Sequence, residues 1–254
     1  MQHIERSKAG TVHADYSVQR APKSQSLLRL ALIVGIGVLI LAAAGVAYIW
    51  FSGGNGQAST GITAPSLERQ PGDSRRLFSI VSSQSEARFI IDETLLGQRK
   101  TVMGATNEVA GQMLIDFNDP STATLGVVRI NVRTLQTDND FRNRALRGQI
   151  LQADRPEYEF ATFTPTELRG LPDSVTVGEQ FSFQIVGNLN VHGVSRETVF
   201  DAEITPASEN EITGTASAMV AYRDFGMSIP EANGVTDVSE MVRLEIEFIA
   251  QITE

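Results

Sequence analysis

Residues Phe181 to Gly193 read FSFQIVGNLNVHG, and this stretch decides how the rest of the chain is understood. Phe181, Phe183, Ile185, Leu189 and Val191 alternate with Ser182, Gln184, Asn188, Asn190 and His192. Successive side chains of a strand point to opposite faces, so a period of two predicts a strand with one apolar and one polar side. The HGVS that follows predicts a tight connection into a second strand. By parity His192 falls on the side opposite Phe181 and Phe183, where a structural turn role is expected.

The same alternation runs outward in both directions. SEARFIIDE sets Ala87, Phe89 and Ile91 on one face, and VAGQMLIDF sets Val109, Met113, Ile115 and Phe117 on one face with Gly111 among them. In GVVRINVRT, Val128, Ile130 and Val132 alternate with polar residues, and Tyr158, Phe160 and Thr162 do so further on. ETVFDAEIT, EITGTASAMVAYRDF and VRLEIEFIA continue the pattern to the end. About eight strands result, parted by turn signals such as Asn118-Asp119-Pro120 and Glu209-Asn210. No helix recurs between them, so the expected class is all-β, an eight-stranded antiparallel barrel or sandwich. Eight strands enclose a space that side chains fill or that admits one slim ligand.

DNDFRNRALRG, Asp138 to Gly148, breaks the period. Asp138 or Asn139 can cap a short helix there and Gly148 can end it. Phe141 and Ala145 lie one turn apart and are expected to face a core. Arg142, Arg144 and Arg147 are expected on a solvated side; the sharper reading is a lid whose arginines meet a polar headgroup.

Leu30 to Phe51 is uncharged and apolar, long enough as a helix to cross a bilayer, with Tyr48, Trp50 and Phe51 at one end. The basic flank lies before it, and no Lys or Arg follows until Arg69. The positive-inside rule then puts the N-terminus in the cytoplasm and the rest outside. A cleaved signal peptide is the rival, with a cut near Ala42 to Ala44, but its apolar region would be shorter. The expected division is a cytoplasmic tail over 1–29, a transmembrane helix over 30–51, a flexible linker over 52–76 and a barrel over 77–254.

Net charge is −9. From Leu77 on the chain carries 13 Lys and Arg against 26 Asp and Glu, which repels phosphate backbones and argues against nucleic acid. With no cysteine there is no disulfide, thiolate zinc site or cysteine nucleophile. His192 is the sole histidine beyond residue 13, too little for a zinc site, so neither metal nor cofactor is expected. Asp224-Phe225-Gly226 spells a kinase motif without the glycine-rich loop, strand lysine or catalytic loop that a kinase needs. No nucleophile elbow or phosphate loop appears, and the chain is not expected to be an enzyme.

These pieces together resemble the YceI-like family. SEARFIIDE resembles its first barrel strand, TLQTDNDFRNRALR its T-x-N-x-x-R-D helix region, and EFATFTPTEL its P-x-A-T-F strand. GNLNVHGVSRETVFDAEI resembles its G-x-L-T-I-H-G-V-T-R-P-V element, and YRDFGM its closing D-F-G-M. The resemblance spreads over residues 78–251 and implies an extended lipocalin-like barrel with an apolar cavity for a polyisoprenoid lipid or isoprenoid quinone. Two positions depart from it: Ala145, where many members have histidine, and Asn143, where many have aspartate. On this reading the cavity is lined by Phe89, Ile91, Met113, Ile115, Val128, Ile130, Phe160, Phe181, Phe183, Ile185 and Leu189. Gly111, Gly187, Ala216 and Ala218 are expected to leave room for the guest. A membrane anchor also departs from the cleaved, freely soluble members; with that anchor, the expected function is an extracytoplasmic carrier or sequestering protein for an isoprenoid-type lipid. The alternative is a filled barrel whose acidic outside binds another envelope protein.

Overall fold

The computed structural model describes residues 23–253, so most of the expected N-terminal tail lies outside the described residues. Helix α1, Lys23–Ser52, satisfies its own backbone hydrogen bonds, and from Leu30 to Phe51 its large apolar side chains stand mostly exposed on all sides. That combination suits hydrocarbon surroundings. Its Arg29–Ser52 part, 24 residues, is long and apolar enough to cross a membrane, a test that a signal sequence also passes. The helix stops before Gly53 and Gly54, and Gly54 takes a left-handed conformation at φ 55°. By packing, the chain divides after Gly45, and Val46–Glu254 forms one compact unit.

In that unit the strands follow in chain order. β1 is Arg76–Ile80, β2 Glu86–Leu95, β3 Gln98–Thr106, β4 Val109–Ala110, β5 Gln112–Ile115, β6 Thr124–Leu125 and β7 Val128–Asn131. After helix α2, Asp140–Ala145, come β8 Phe160–Arg169, β9 Phe181–Val191, β10 Val194–Ser208, β11 Glu211–Ala221, β12 Val235–Thr236 and β13 Met241–Ile252. All pairings are antiparallel. β7, β8, β9, β10, β11 and β13 lie side by side. β13 divides its other edge between β2 and β1, which in turn pair with β3 and β5. The run β3–β4–β5 meets β7 and β6 on its far edge. Counting these broken runs as single staves gives the eight expected, in one curled sheet. The seam is narrowest beside β3, where two backbone hydrogen bonds between Ala105 and Gln136 (2.9 and 3.0 Å) are the tie.

The opening stretch forms β9 as expected, and His192-Gly193 turns it into β10. Both residues have positive φ, 52° and 75°, which is a type I′ turn whose twist matches the strands. Glycine enters the left-handed region freely, so the strain falls on His192 alone.

Two expectations change. Helix α2 is capped by Asn139, whose side chain accepts from the Arg142 backbone N–H (3.0 Å), and a π-helical turn, Leu146–Ile150, follows it. Its inner face carries Asn143, Leu146 and Arg147, not Phe141 and Ala145; Phe141 is 37% exposed. Leu146, Ile150 and Leu151 pull the segment inward more strongly than one phenylalanine. Asn143 bears burial because its Oδ1 accepts from both the N–H and the hydroxyl of Thr137 (2.7 Å each). The stretch over 52–76, expected as a flexible linker, has no regular secondary structure between Gly53 and Arg76 but lies along the barrel. The Leu67 N–H donates to Gln112 Oε1 (2.8 Å), and Arg129 donates to the Thr63 carbonyl (3.3 Å).

Candidate functional site

Alternation along the staves sends one apolar set inward, and that set packs as two clusters. One end of the barrel holds Phe78, Met113, Phe183, Ala202, Ile204, Ile212, Ala216, Phe248 and Ala250, all buried, with Phe78 at 0% exposure. The other holds Ala161, Phe163, Leu189, Val191 and Phe225 under Val132, Leu135, Leu146, Leu151 and Ala153. Ile185 and Phe200 touch both clusters and are not fully buried. Their neighbours Phe89, Ile130, Leu244 and Ile246 also pack against the clusters while keeping part of their surface accessible. Between the two buried clusters these inward residues are half-buried, and their side chains are hydrocarbon and aromatic ring; Phe181 and Ile115 at the first end and Val128 at the second are half-buried as well.

Of the residues expected to line a cavity, Met113, Ile115, Phe181 and Phe183 belong to the first end and Leu189 to the second. Phe89, Val128, Ile130 and Ile185 pack against the second cluster, and Ile185 reaches both. Ile91 faces Val102 across the β2–β3 ladder on the parity of Phe89. Phe160 is a correction. The buried residues of β8 are Ala161 and Phe163, which leaves Phe160 on the outer face. There it lines a surface groove of about 330 Å³ with Pro65, Arg129, Pro156 and Asn190, and the Arg129 guanidinium lies 3.7 Å over its ring. The preceding turn at Pro156–Tyr158 resets the parity that the alternation had assumed.

The glycines do not leave room as expected. A β-carbon on Gly187 would meet the Phe163 ring at 2.6 Å, and one on Gly111 would meet Ile80 at 3.0 Å and Val128 at 3.3 Å. Cross-strand side chains already occupy these gaps. Phe200, Leu244 and Ile246 instead keep part of their surface accessible, and strand periodicity shows them as inward but cannot mark them as uncovered.

Polar groups frame the second end. Glu159 is 2% exposed and accepts from the Ser59 N–H (2.8 Å), the Ser59 hydroxyl (2.6 Å) and Asn131 Nδ2 (2.9 Å), with Arg133 Nη1 at 3.0 Å. Burial pushes its carboxyl up, but the Ser59 bonds, Asn131 and Arg133 together hold it below the usual carboxylate range. Glu93 sits on the inward parity of β2 and pairs with Arg142 Nη2 (2.8 Å), while Arg142 Nη1 reaches Asp138 (2.6 Å). A charge at the end of the apolar alternation FIIDE was the sequence signal that such a partner exists.

The three arginines of the α2 region are not a solvated side. Arg142 is ion-paired, Arg144 stacks on Trp50 at 3.7 Å, and Arg147 is 7% exposed with Nε donating to the Gly53 carbonyl (2.8 Å). His192 lies in its turn beside Tyr158, ring centroids 4.6 Å apart, and no hydrogen-bond partner meets its buried Nε2 among the described residues. Phe225 of the Asp-Phe-Gly triplet is a core residue.

The YceI-like domain profile matches residues 78–250. A search of curated proteins finds no match. Among solved structures, a polyisoprenoid binding domain from Saccharophagus degradans, implicated in plant cell wall breakdown, superposes with a TM-score of 0.55 at 15% identity, over 69% of this chain and 98% of that one. Burkholderia cenocepacia BcnA superposes with a TM-score of 0.54 at 13% identity, over 68% of this chain and 99% of that one. The profile spans most of the curled sheet and both structures share its fold; the chain belongs to the YceI-like family.

Proposed function

We propose that the protein is a membrane-anchored, extracytoplasmic binding protein that holds a polyisoprenoid lipid or isoprenoid quinone between the two buried clusters of its barrel and performs no chemistry on it. The observation that carries this reading is the inward apolar set, whose residues between the two buried clusters keep part of their surface accessible. A folded chain covers apolar surface where it can, so a band of Phe89, Ile130, Ile185, Phe200, Leu244 and Ile246 left partly uncovered favours an apolar guest. Each 100 Å² of guest hydrocarbon covered contributes roughly 2.5 kcal/mol without any directed bond. Family membership supports the same ligand class, since one structure of like fold is named as polyisoprenoid binding. The apolar α1 with its basic N-terminal flank supports an anchor whose barrel lies outside the cell.

Full-length protein purified from its own membrane in mild detergent is extracted with organic solvent and the extract read by mass spectrometry. An isoprenoid chain at near-stoichiometric amount is expected. Repeated recovery without one, together with no uptake from vesicles doped with isoprenoid quinone, overturns the reading. A stoichiometric protein partner in place of lipid would favour the filled interaction module.

A further inference from the structure

We propose that Arg144 and Arg147 clasp the C-terminal exit of α1, so that the segment Asp140–Ile150 is the part of the barrel held at the bilayer interface. The last carbonyls of a helix have no partner within it, and the last turn of α1 carries no basic residue of its own. Both needs are met from the barrel. Arg144 Nη1 donates to the Trp50 carbonyl (2.8 Å) and to the Gly54 carbonyl (3.3 Å) while its guanidinium stacks on the Trp50 ring. Arg147 Nε donates to the Gly53 carbonyl from a buried position, with no carboxylate paired to it among the described residues. Cations there also complement the negative end of the helix dipole.

The seat is cut for this fit. A β-carbon on Gly53 would lie 2.5 Å from the Arg144 carbonyl oxygen, and one on Gly148 would lie 2.9 Å from Ser52 backbone atoms. Two glycines thus allow backbone to meet backbone. Around the seat, Tyr48, Trp50 and Phe51 remain exposed, Phe51 at 82%, and Phe141 is exposed one turn before Arg144. Aromatic side chains continuous with an apolar spanning helix are the composition of a membrane interface, so the occupant of this surface is the lipid headgroup zone. The held segment covers the second cluster and adjoins the narrow Ala105–Gln136 seam. The inference rests on the lipid-binding reading for its purpose: a guest would cross between bilayer and barrel beside this segment.

Because the chain has no cysteine, single labels are unambiguous. Full-length Phe141→Cys and Asp173→Cys, each carrying a bimane, are reconstituted in vesicles of phosphatidylcholine and phosphatidylglycerol containing brominated lipid. Position 173 lies in the β8–β9 loop at the opposite end. Quenching several-fold stronger at 141 than at 173 is expected, and the Arg144→Ala/Arg147→Ala pair should abolish the difference. Gly148→Ala, milder on folding, should reduce it. Equal quenching at both positions in the otherwise unchanged chain, or stronger quenching at 173, overturns the proposal. Lipid content of the same preparations separates the two readings. Equal quenching with isoprenoid still recovered sinks this inference alone, and unequal quenching without isoprenoid leaves it standing while sinking the binding function.

Discussion

A carboxylate survives at 2% exposure only where donors surround it, and Glu159 has four, two of them from Ser59 one hundred residues earlier. Glu159→Gln removes the charge that Arg133 and Ser59 address, and urea unfolding at pH 7 should show a loss of about 1–3 kcal/mol. The sign with pH follows from the direction of its shift. A carboxyl held below its ordinary 4.5 adds stability above that value and loses it as pH falls through the lower folded value. The gap between wild type and Glu159→Gln should therefore shrink between pH 5 and pH 3, and a gap that stays constant across that range would show that the charge contributes nothing. The alternation around Tyr158 named Phe160 instead, because it counted through a turn that a one-dimensional pattern does not register.

The hairpin β9–β10 is the element on which the sequence spoke most plainly, and its turn separates a structural histidine from a working one. His192 occupies a turn position where Asn before Gly is favoured. His192→Asn should leave thermal stability within about 1 kcal/mol of wild type, or raise it, with lipid content unchanged. Gly193→Ala, at φ 75° and with a β-carbon 3.1 Å from Tyr158, should cost roughly 1–2 kcal/mol. Loss of lipid from a well-folded His192→Asn would return a ligand role to that ring. Helix α2 was legible as an element but not in its phase. Six residues are too few for periodicity to outvote the pull of Leu146, Ile150 and Leu151 beyond its end.

At the scale of the molecule, a buried Phe183 and a half-buried Ile185 that touches both clusters predict different answers from two neighbouring positions on one face of β9. Ile185→Trp should displace about two methylenes of a guest at roughly 0.8 kcal/mol each, lowering isoprenoid uptake about tenfold with little change in melting temperature. Phe183→Trp overpacks a buried site and should cost about 1–3 kcal/mol of stability instead. Equal effects of the two on uptake and on melting would remove the distinction between the two positions. The sequence by itself determined the antiparallel all-β sheet, an N-terminal helix long and apolar enough to cross a membrane, and the inward parity of most of the strand residues named from it. Those properties follow from the pleat and the length of a run, which neighbours along the chain establish. Only the tertiary structure decided that cross-strand side chains fill the glycine gaps, that Phe160 faces out, that Arg144 and Arg147 seat the helix exit and that Ser59 closes over Glu159. Each of these depends on which residues distant in the chain arrive at the same place, and no local period carries that information.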